Sequence, residues 1–229
     1  PRDTIMQLLN STVGRKILMA VTGLILISFV IIHLLGNSSV FAGADGINAY
    51  AVKLHSLGPV VWIFRLVMLA VFGVHILIGI QLTLENRAAN PVPYAQKKTL
   101  RTTFAAETMI VSGLVLAAFV VYHILHFTVH VTNPEISIGM LPPDAMGRPD
   151  VYTMVVSSFQ KGYIALVYVL AMVLLFLHLS HGSQSFLQTF GLANDKTLAP
   201  IGLGSKAFSL VILLGYISIP VLIVIGLVK

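Results

Sequence analysis

The chain has 229 residues, of which 57% are hydrophobic and only 10% are charged, and its mean hydropathy is +0.93. A soluble domain carries about 25% charged residues, so this composition predicts an integral membrane protein and excludes disordered, collagen-like and coiled-coil chains. The absence of cysteine excludes disulfides, cysteine-ligated iron–sulfur clusters, thiolate zinc sites and covalent c-type haem. The formal charge of +6 does not indicate nucleic-acid binding, because the basic residues lie mostly in loops between apolar segments.

Five apolar segments are long enough to cross a bilayer, which takes about 20 residues each. They cover residues 14–36, 60–84, 104–127, 160–187 and 205–227. We therefore expect an all-α integral membrane protein with a single membrane domain over residues 1–229. The side of the membrane that holds the N-terminus receives nine lysine and arginine residues, in loops and at segment ends, against five on the other side. The positive-inside rule then places the N-terminus in the cytoplasm and the C-terminus outside.

Two loops between these segments differ in kind. The loop 85–103, on the predicted inner side, has prolines followed by basic residues and could dock a soluble partner. A solvated loop or contact with lipid headgroups is the alternative for its polar residues, which are Asn86, Arg87, Lys97, Lys98 and Arg101. The outer loop 132–159 contains four prolines, which exclude a continuous helix.

Four of the eight histidines lie at matched depths in the first four segments. His33 and His123 each lie 19 residues after the start of a segment that begins on the inner side. At 1.5 Å per residue, both lie about 28 Å along their helices. His75 and His178 each lie nine residues before the inner end of their segments. The spacing therefore predicts an outer pair and an inner pair.

Ionisable residues inside a membrane are costly and usually functional. Two facing imidazoles from different helices of a bundle can fill both axial positions of a haem iron, which leaves that haem able only to transfer electrons. Two such pairs predict two b haems and an electron path across the membrane. A hydrogen bond between helices is the alternative for each histidine. A zinc or proton pathway is disfavoured, because Glu107 is the one acidic residue near the interior of a segment.

The inner histidines share a further pattern. His75 is followed four residues later by Gly79, and His178 by Gly182. A glycine one turn away leaves room for a flat ring or for a close helix contact. His181 competes with His178 for the ligand role, and the repeated His-x-x-x-Gly pattern favours His178.

Four stretches of the sequence resemble one known family. They are STVGRK at 11–16, HLLGN at 33–37, LTLENR at 82–87 and HLSHGSQSFLQTFGL at 178–192. The chain is similar there, from residue 11 to about residue 203, to the dihaem cytochrome b membrane subunit of succinate:quinone oxidoreductases, which include fumarate reductases. The resemblance implies a five-helix anchor with one haem ligand on each of the first four helices. Carried over by motif, the ligands are His33 and His123 for the outer haem and His75 and His178 for the inner haem.

The resemblance also implies partners for the chain. They are an iron–sulfur subunit and a flavoprotein subunit that holds covalent FAD and the dicarboxylate site, as in respiratory complex II of the tricarboxylic acid cycle. This chain would supply the haems and the quinone site of the enzyme in a bacterial cytoplasmic membrane, in contact with membrane lipid. The implied quinone is menaquinone.

The quinone is expected near the outer haem, because the electron path ends there. The polar candidates for its site are Tyr50, Lys53, His55, Arg65 and His126. These candidates have alternatives: Arg65 could neutralise a haem propionate, and His55 could be a solvated loop residue. His126 could contact a haem propionate or simply lie at the membrane interface.

The sequence departs from the family in one respect. Some fumarate reductases of this type carry glutamates in the second and fourth segments, where this chain has Phe176 two residues before His178 and no glutamate within 60–84. Electron transfer across the membrane is therefore expected to be electrogenic. The alternative functions are a haem b anchor of another quinone-linked dehydrogenase and a non-redox transporter.

Overall fold

The computed structural model describes residues 11–89 and 102–229, and these residues contain helices and turns but no strand. The helices are α1 (Thr12–Asn37), α2 (Gly43–His55), α3 (Pro59–Ala88), α4 (Phe104–Glu107), α5 (Met109–Phe127), α6 (Val151–Gln160), α7 (Gly162–Thr189) and α8 (Leu198–Val224). Two 3₁₀ turns, Ser38–Ala42 and Pro134–Ile136, complete them. The all-helical architecture expected from the sequence is confirmed, and five of the described helices are long and apolar enough to cross a membrane.

Side-chain caps explain where several helices begin. The hydroxyl of Ser11 accepts a hydrogen bond from the backbone N–H of Gly14 at 3.0 Å at the start of α1. Thr103 caps α4 and Asp150 caps α6 in the same way. Serine, threonine and aspartate are favoured at these positions because they satisfy N–H groups that have no partner inside the helix.

The helix bounds differ from the predicted segments in several places. Helix α3 continues to Ala88, four residues past the predicted end, so Asn86 and Arg87 of the predicted loop 85–103 are helical. A break at Thr108 separates α4 from α5, and a break at Lys161, which has an extended backbone, separates α6 from α7. Helix α8 begins at Leu198, seven residues before the predicted start. Proline is tolerated in the first turn of a helix, so Pro200 does not prevent this earlier start.

Helices α1, α3, α5 and α7 form a bundle, and α8 packs most extensively on α7. We call the end of the bundle where α1 begins the near end and the opposite end the far end. An ion pair joins α1 to α3 at the near end, where Arg15 lies 3.0 Å from Glu85. On the side of α8, the hydroxyl of Tyr216 donates to the carbonyl oxygen of Val30 at 2.8 Å. This bond ties the fifth long helix to α1.

A cap of α2, α6 and the loop before α6 lies at the far end. Its centre is Asn48, which is fully buried and donates to the carboxylates of Asp144 at 3.0 Å and Asp150 at 3.3 Å. The side-chain oxygen of Asn48 accepts from the backbone N–H of Tyr152 at 2.9 Å. Arg148, in the loop before α6, forms an ion pair with Asp45 of α2 at 2.7 Å. The four prolines of the outer loop all precede α6, and helix α2 lies between the first two predicted segments.

Candidate functional site

The structure brings four histidines together as two pairs, each formed by two different helices. The ring centroids of His33 on α1 and His123 on α5 lie 5.7 Å apart, and we call these residues the far pair. The ring centroids of His75 on α3 and His178 on α7 lie 6.3 Å apart, and we call them the near pair. An imidazole nitrogen lies about 2 Å from a metal ion that it binds, so two imidazoles on opposite sides of one ion have centroids roughly 6 Å apart. Both pairs have that separation.

The hydroxyl of Thr22 fixes the tautomer of His75 in the near pair. It lies 3.1 Å from Nδ1 of His75 and donates its proton to the carbonyl oxygen of Leu18 at 2.8 Å. Because a hydroxyl has a single proton, the Thr22 oxygen must accept from Nδ1–H of His75. The proton is therefore on Nδ1, and the Nε2 lone pair of His75 is free to bind a metal.

His178 has the same arrangement on the opposite side of the near pair. The hydroxyl of Ser112 lies 3.3 Å from Nδ1 of His178 and donates to the carbonyl oxygen of Met109 at 3.0 Å. The proton of His178 is thus also held on Nδ1, which leaves Nε2 as a ligand atom. Hydrogen bonding of the second ring nitrogen is the usual way in which a protein orients a metal-binding histidine.

Two glycines give the near pair room. A methyl group built on Gly23 would lie 3.5 Å from Cε1 of His75, and one built on Gly113 would lie 3.1 Å from Cε1 of His178. Each glycine directly follows the residue whose hydroxyl contacts that histidine. The helices α1 and α5 thus pack directly against the two imidazoles, and a larger residue at Gly113 would push the ring away.

These supporting residues belong to an internal repeat that the sequence analysis missed. Residues 19–35 and 109–125 align without a gap and are identical at nine of 17 positions. The repeat superimposes the far-pair histidines, the two glycines and the two hydroxyl residues, so His33 corresponds to His123, Gly23 to Gly113, and Thr22 to Ser112. The hydroxyl and glycine positions are visible in the sequence once the two segments are aligned. Histidine depth alone does not reveal them.

The glycines of the His-x-x-x-Gly pattern have a different role from those that face the rings. Methyl groups built on Gly79 and Gly182 would lie 3.4 Å and 3.6 Å from the terminal methyls of Met19 and Met109. These two methionines also correspond in the repeat. Of the two roles that the sequence allowed for this glycine, the structure shows the close helix contact.

The far pair lies among aromatic rings. Phe29 contacts His33 at a centroid distance of 5.3 Å, and Phe119 lies 6.1 Å from His123. Nδ1 of His33 lies 2.7 Å from the amide nitrogen of Asn37, which also donates to the carbonyl oxygen of His33 at 2.7 Å. Nδ1 of His123 lies 3.3 Å from the hydroxyl of Tyr168. The far pair therefore has a polar partner on each Nδ1 inside an apolar surrounding.

The other residues proposed for a quinone site do not converge in the described part of the chain. Tyr50 on α2 packs on Gly36, close to the far end of α1. Lys53 and His55 are exposed on α2, and Nδ1 of His55 lies 2.8 Å from the carbonyl oxygen of Ala51. Arg65 stacks on Trp62, 4.8 Å from its ring centroid. His126 is buried and contacts Tyr168.

The structure describes two of the residues proposed for partner docking. Asn86 and Arg87 are exposed in its last turn. Lys97, Lys98 and Arg101 lie outside the described residues. His181, the competing ligand candidate, lies one turn beyond His178 on α7, whereas it is the ring of His178 that faces His75.

Comparison with known proteins adds no relative: no family model, curated protein or solved structure matches the chain.

Proposed function

We propose that this chain is a dihaem cytochrome b, the membrane anchor of a succinate dehydrogenase or fumarate reductase. It would carry electrons between an iron–sulfur subunit and a membrane quinone, for which the sequence resemblance favours menaquinone. One observation carries the proposal. Four histidines on four different helices form two pairs, with ring centroids 5.7 Å and 6.3 Å apart. The four matching sequence stretches support the choice of family.

The residues present fit two haems. Each near-pair histidine has its proton held on Nδ1 by a hydroxyl whose own proton is already donated, so both Nε2 atoms are available as axial ligands. Gly23 and Gly113 leave space against the rings that a side chain would fill. A haem held by two imidazoles supplies reversible one-electron transfer and has no open axial position. The far pair would hold the second haem among aromatic side chains.

We further propose an orientation in the membrane, two partner subunits and a place for the quinone. The near end would face the cytoplasm of a bacterium and dock the iron–sulfur subunit, to which a FAD-bearing flavoprotein subunit binds. Asn86 and Arg87 would contribute to that surface, together with the basic residues of 90–101. The quinone would bind near the far pair. Transfer would be electrogenic, because the second and fourth spans lack the glutamates that could carry compensating protons.

The first experiment is a haem count on the purified, assembled complex by a pyridine haemochromogen assay and a reduced-minus-oxidised spectrum. We expect two b haems per chain, and one in each of His33→Ala and His75→Ala. His55→Ala is the matched control and should keep two, because His55 is exposed and bonded to its own helix. A protein without haem in its unmodified form would refute the proposal and favour the transporter.

A second readout separates this anchor from that of another quinone-linked dehydrogenase. Succinate added to the complex should reduce both haems, and a naphthoquinone should reoxidise them. If the complex contains both haems but succinate does not reduce them, the chain is the anchor of another quinone-linked dehydrogenase.

A further inference from the structure

Tyr168 on α7 connects the far pair to a histidine that the ligand set does not use. Its hydroxyl oxygen lies 3.3 Å from Nδ1 of His123 and 2.9 Å from Nδ1 of His126. Both Tyr168 and His126 are buried, with 7% and 4% of their surface exposed. The ring of His126 stacks on Phe127 at a centroid distance of 4.0 Å. His126 is therefore held in one orientation inside the protein.

The protons of this chain of hydrogen bonds can be placed in one way if His123 is a haem ligand. A neutral imidazole that binds iron through Nε2 carries its proton on Nδ1. Nδ1–H of His123 then donates to the hydroxyl oxygen of Tyr168. Tyr168 in turn donates its single proton to Nδ1 of His126. The proton of a neutral His126 must consequently be on Nε2.

Nε2 of His126 is a buried atom without a hydrogen-bond partner in the described residues. A buried N–H group without an acceptor is costly, so native proteins seldom leave one unpaired. The described residues provide no acceptor for Nε2–H of His126, so an acceptor from outside them is expected.

A second unpaired imidazole lies four residues further along the chain. Nε2 of His130 is also buried and has no partner among the described residues. His130 has φ of +62°, a left-handed conformation that is uncommon for residues other than glycine. His130 and the ammonium group of Lys161 both lie close enough to His126 to interact with it electrostatically. Lys161 is itself paired with the carboxylate of Glu135 at 2.7 Å, so the observation that calls for an oxygen acceptor is the Nε2–H of His126, unpaired in the described part of the chain, with a second such Nε2 at His130.

We infer that His126, with His130 beside it, forms a binding site for an oxygen acceptor next to the far pair. The acceptor is either a propionate carboxylate of the far haem or a carbonyl oxygen of the quinone. Both present an oxygen lone pair to an imidazole N–H at the far end of the bundle. The inference rests on the proposed function, because the proton of His126 is placed by ligation of His123.

Two substitutions at His126 test the roles of its Nε2 and Nδ1 atoms separately. Asparagine places an amide near the position of Nδ1 and keeps a partner for Tyr168, but it has no donor at the position of Nε2. Glutamine reaches the position of Nε2 with an N–H group. The matched controls are His181→Asn and His181→Gln, which make the same exchanges on α7 towards the near end. All four variants are made in the complete complex.

The first measurement is the reduction potential of each haem in complex freed of quinone. The second is the dissociation constant of a short-chain naphthoquinone. For a propionate acceptor, His126→Asn lowers the potential of the far haem only, because the carboxylate loses a donor that offsets its charge. For a quinone acceptor, the potentials stay unchanged and naphthoquinone binding weakens about tenfold or more. In either case His126→Gln stays close to the unmodified protein, as do both controls.

The opposite pattern would overturn the inference. If His126→Asn behaves as the unmodified protein and His126→Gln is disturbed, His126 serves only to position Tyr168. No change in either measurement for both variants would also refute it. The haem count of the same samples keeps this test separate from the proposed function, since two haems with no effect at His126 contradict the inference alone.

His130→Gly provides a second test that does not depend on substitution inside a helix. Glycine accepts the positive φ of this position without strain, so the imidazole is removed while the backbone is preserved. We expect the same direction of change as in His126→Asn. Unchanged haem potentials and unchanged quinone binding in His130→Gly would show that His130 is not part of the site.

Discussion

Gly113 lies directly against the imidazole of His178, so that a methyl group at this position would come within 3.1 Å of Cε1. Real Cβ atoms rarely approach a neighbour so closely, and the ring would have to move. At the corresponding position of the repeat, a methyl group on Gly23 would lie an ordinary 3.5 Å from Cε1 of His75. The two halves of the near pair therefore differ in how much substitution they tolerate.

We expect Gly113→Ala to perturb the near haem and Gly23→Ala to leave it nearly unchanged. The added methyl would displace the ring of His178 in the first variant and make a normal contact with His75 in the second. Reduced-minus-oxidised spectra and haem content of the two variants measure this difference. Gly73→Ala is the control, because a methyl group there meets nothing within 4 Å. Equal effects of Gly113→Ala and Gly23→Ala would contradict the geometry.

Removal of the hydroxyls beside the near pair should weaken haem binding there. Thr22→Val and Ser112→Ala each delete the acceptor that keeps a proton on Nδ1 of a ligand histidine. Loss of such a partner typically costs 10- to 100-fold in metal affinity, and we expect a loss of that order for the near haem. Haem retention during dilution, followed by absorbance, measures the effect.

Thr83→Val is the matched control for those variants. Thr83 on α3 donates to the carbonyl oxygen of Gly79 at 2.8 Å, so this substitution also removes a hydroxyl bonded to its own helix. Haem retention in Thr83→Val should equal that of the unmodified protein. An equal loss in all three variants would attribute the effect to helix stability instead of to the histidine tautomer.

His178 and His181 are distinguished by substitution. Because the ring of His178 faces His75, His178→Ala should lose one of the two haems while His181→Ala keeps both. A haemochromogen assay on both purified variants decides between them. Loss of haem in His181→Ala with full retention in His178→Ala would show that His181, and not His178, is the ligand.

The far-end cap should become less stable in acid. Burial would raise the pKa of Asp144, but hydrogen bonds from Arg148 and Asn48 outweigh it and lower the pKa from its ordinary value of 3.8 to about 2. A carboxylate with a lowered pKa stabilises the fold fully above the pKa of the unfolded chain, and this contribution is lost as the pH falls through the lower value. Its contribution is therefore complete above about pH 5 and lost towards pH 2.

Thermal unfolding of the protein in detergent from pH 7 to pH 2.5 tests this statement. Asp144→Asn should be less stable than the unmodified protein at pH 7, and the difference should shrink as the pH falls below 4. Asp195→Asn alters an exposed aspartate in the loop before α8 and serves as the control, with no such difference. A stability gap for Asp144→Asn that stays constant down to pH 2.5 would show that the charge of Asp144 is not the cause.

Helix number and histidine depth could be read from the sequence because both follow from counting. Twenty apolar residues cross a bilayer, and a fixed rise of 1.5 Å per residue sets the level of each side chain. The repeat between 19–35 and 109–125 was equally present in the sequence. It would have indicated Thr22 and Ser112, although not that each hydroxyl meets a histidine of a different helix.

The far end could not be predicted in this way. Asn48 meets Asp144 and Asp150 from 96 and 102 residues away, and polar contacts over such distances leave no local pattern. The same applies to Tyr168, whose hydroxyl reaches His126 across 42 residues. Helix rotation decides which side chains face each other, and a rotation within an almost wholly apolar helix is not encoded by its hydropathy.

The two histidine pairs also constrain how the protein can be made. Each pair joins residues that are 90 or 103 positions apart in the chain, on helices that are never consecutive spans. When only α1 and α3 have been synthesised and inserted, one histidine of each pair is present and neither pair is complete. In the proposed dihaem protein, the far site would be complete once α5 is inserted and the near site only once α7 is inserted, and the last long helix then packs against α7 and α1. Biogenesis is in this sense ordered by the alternation of the ligands along the chain.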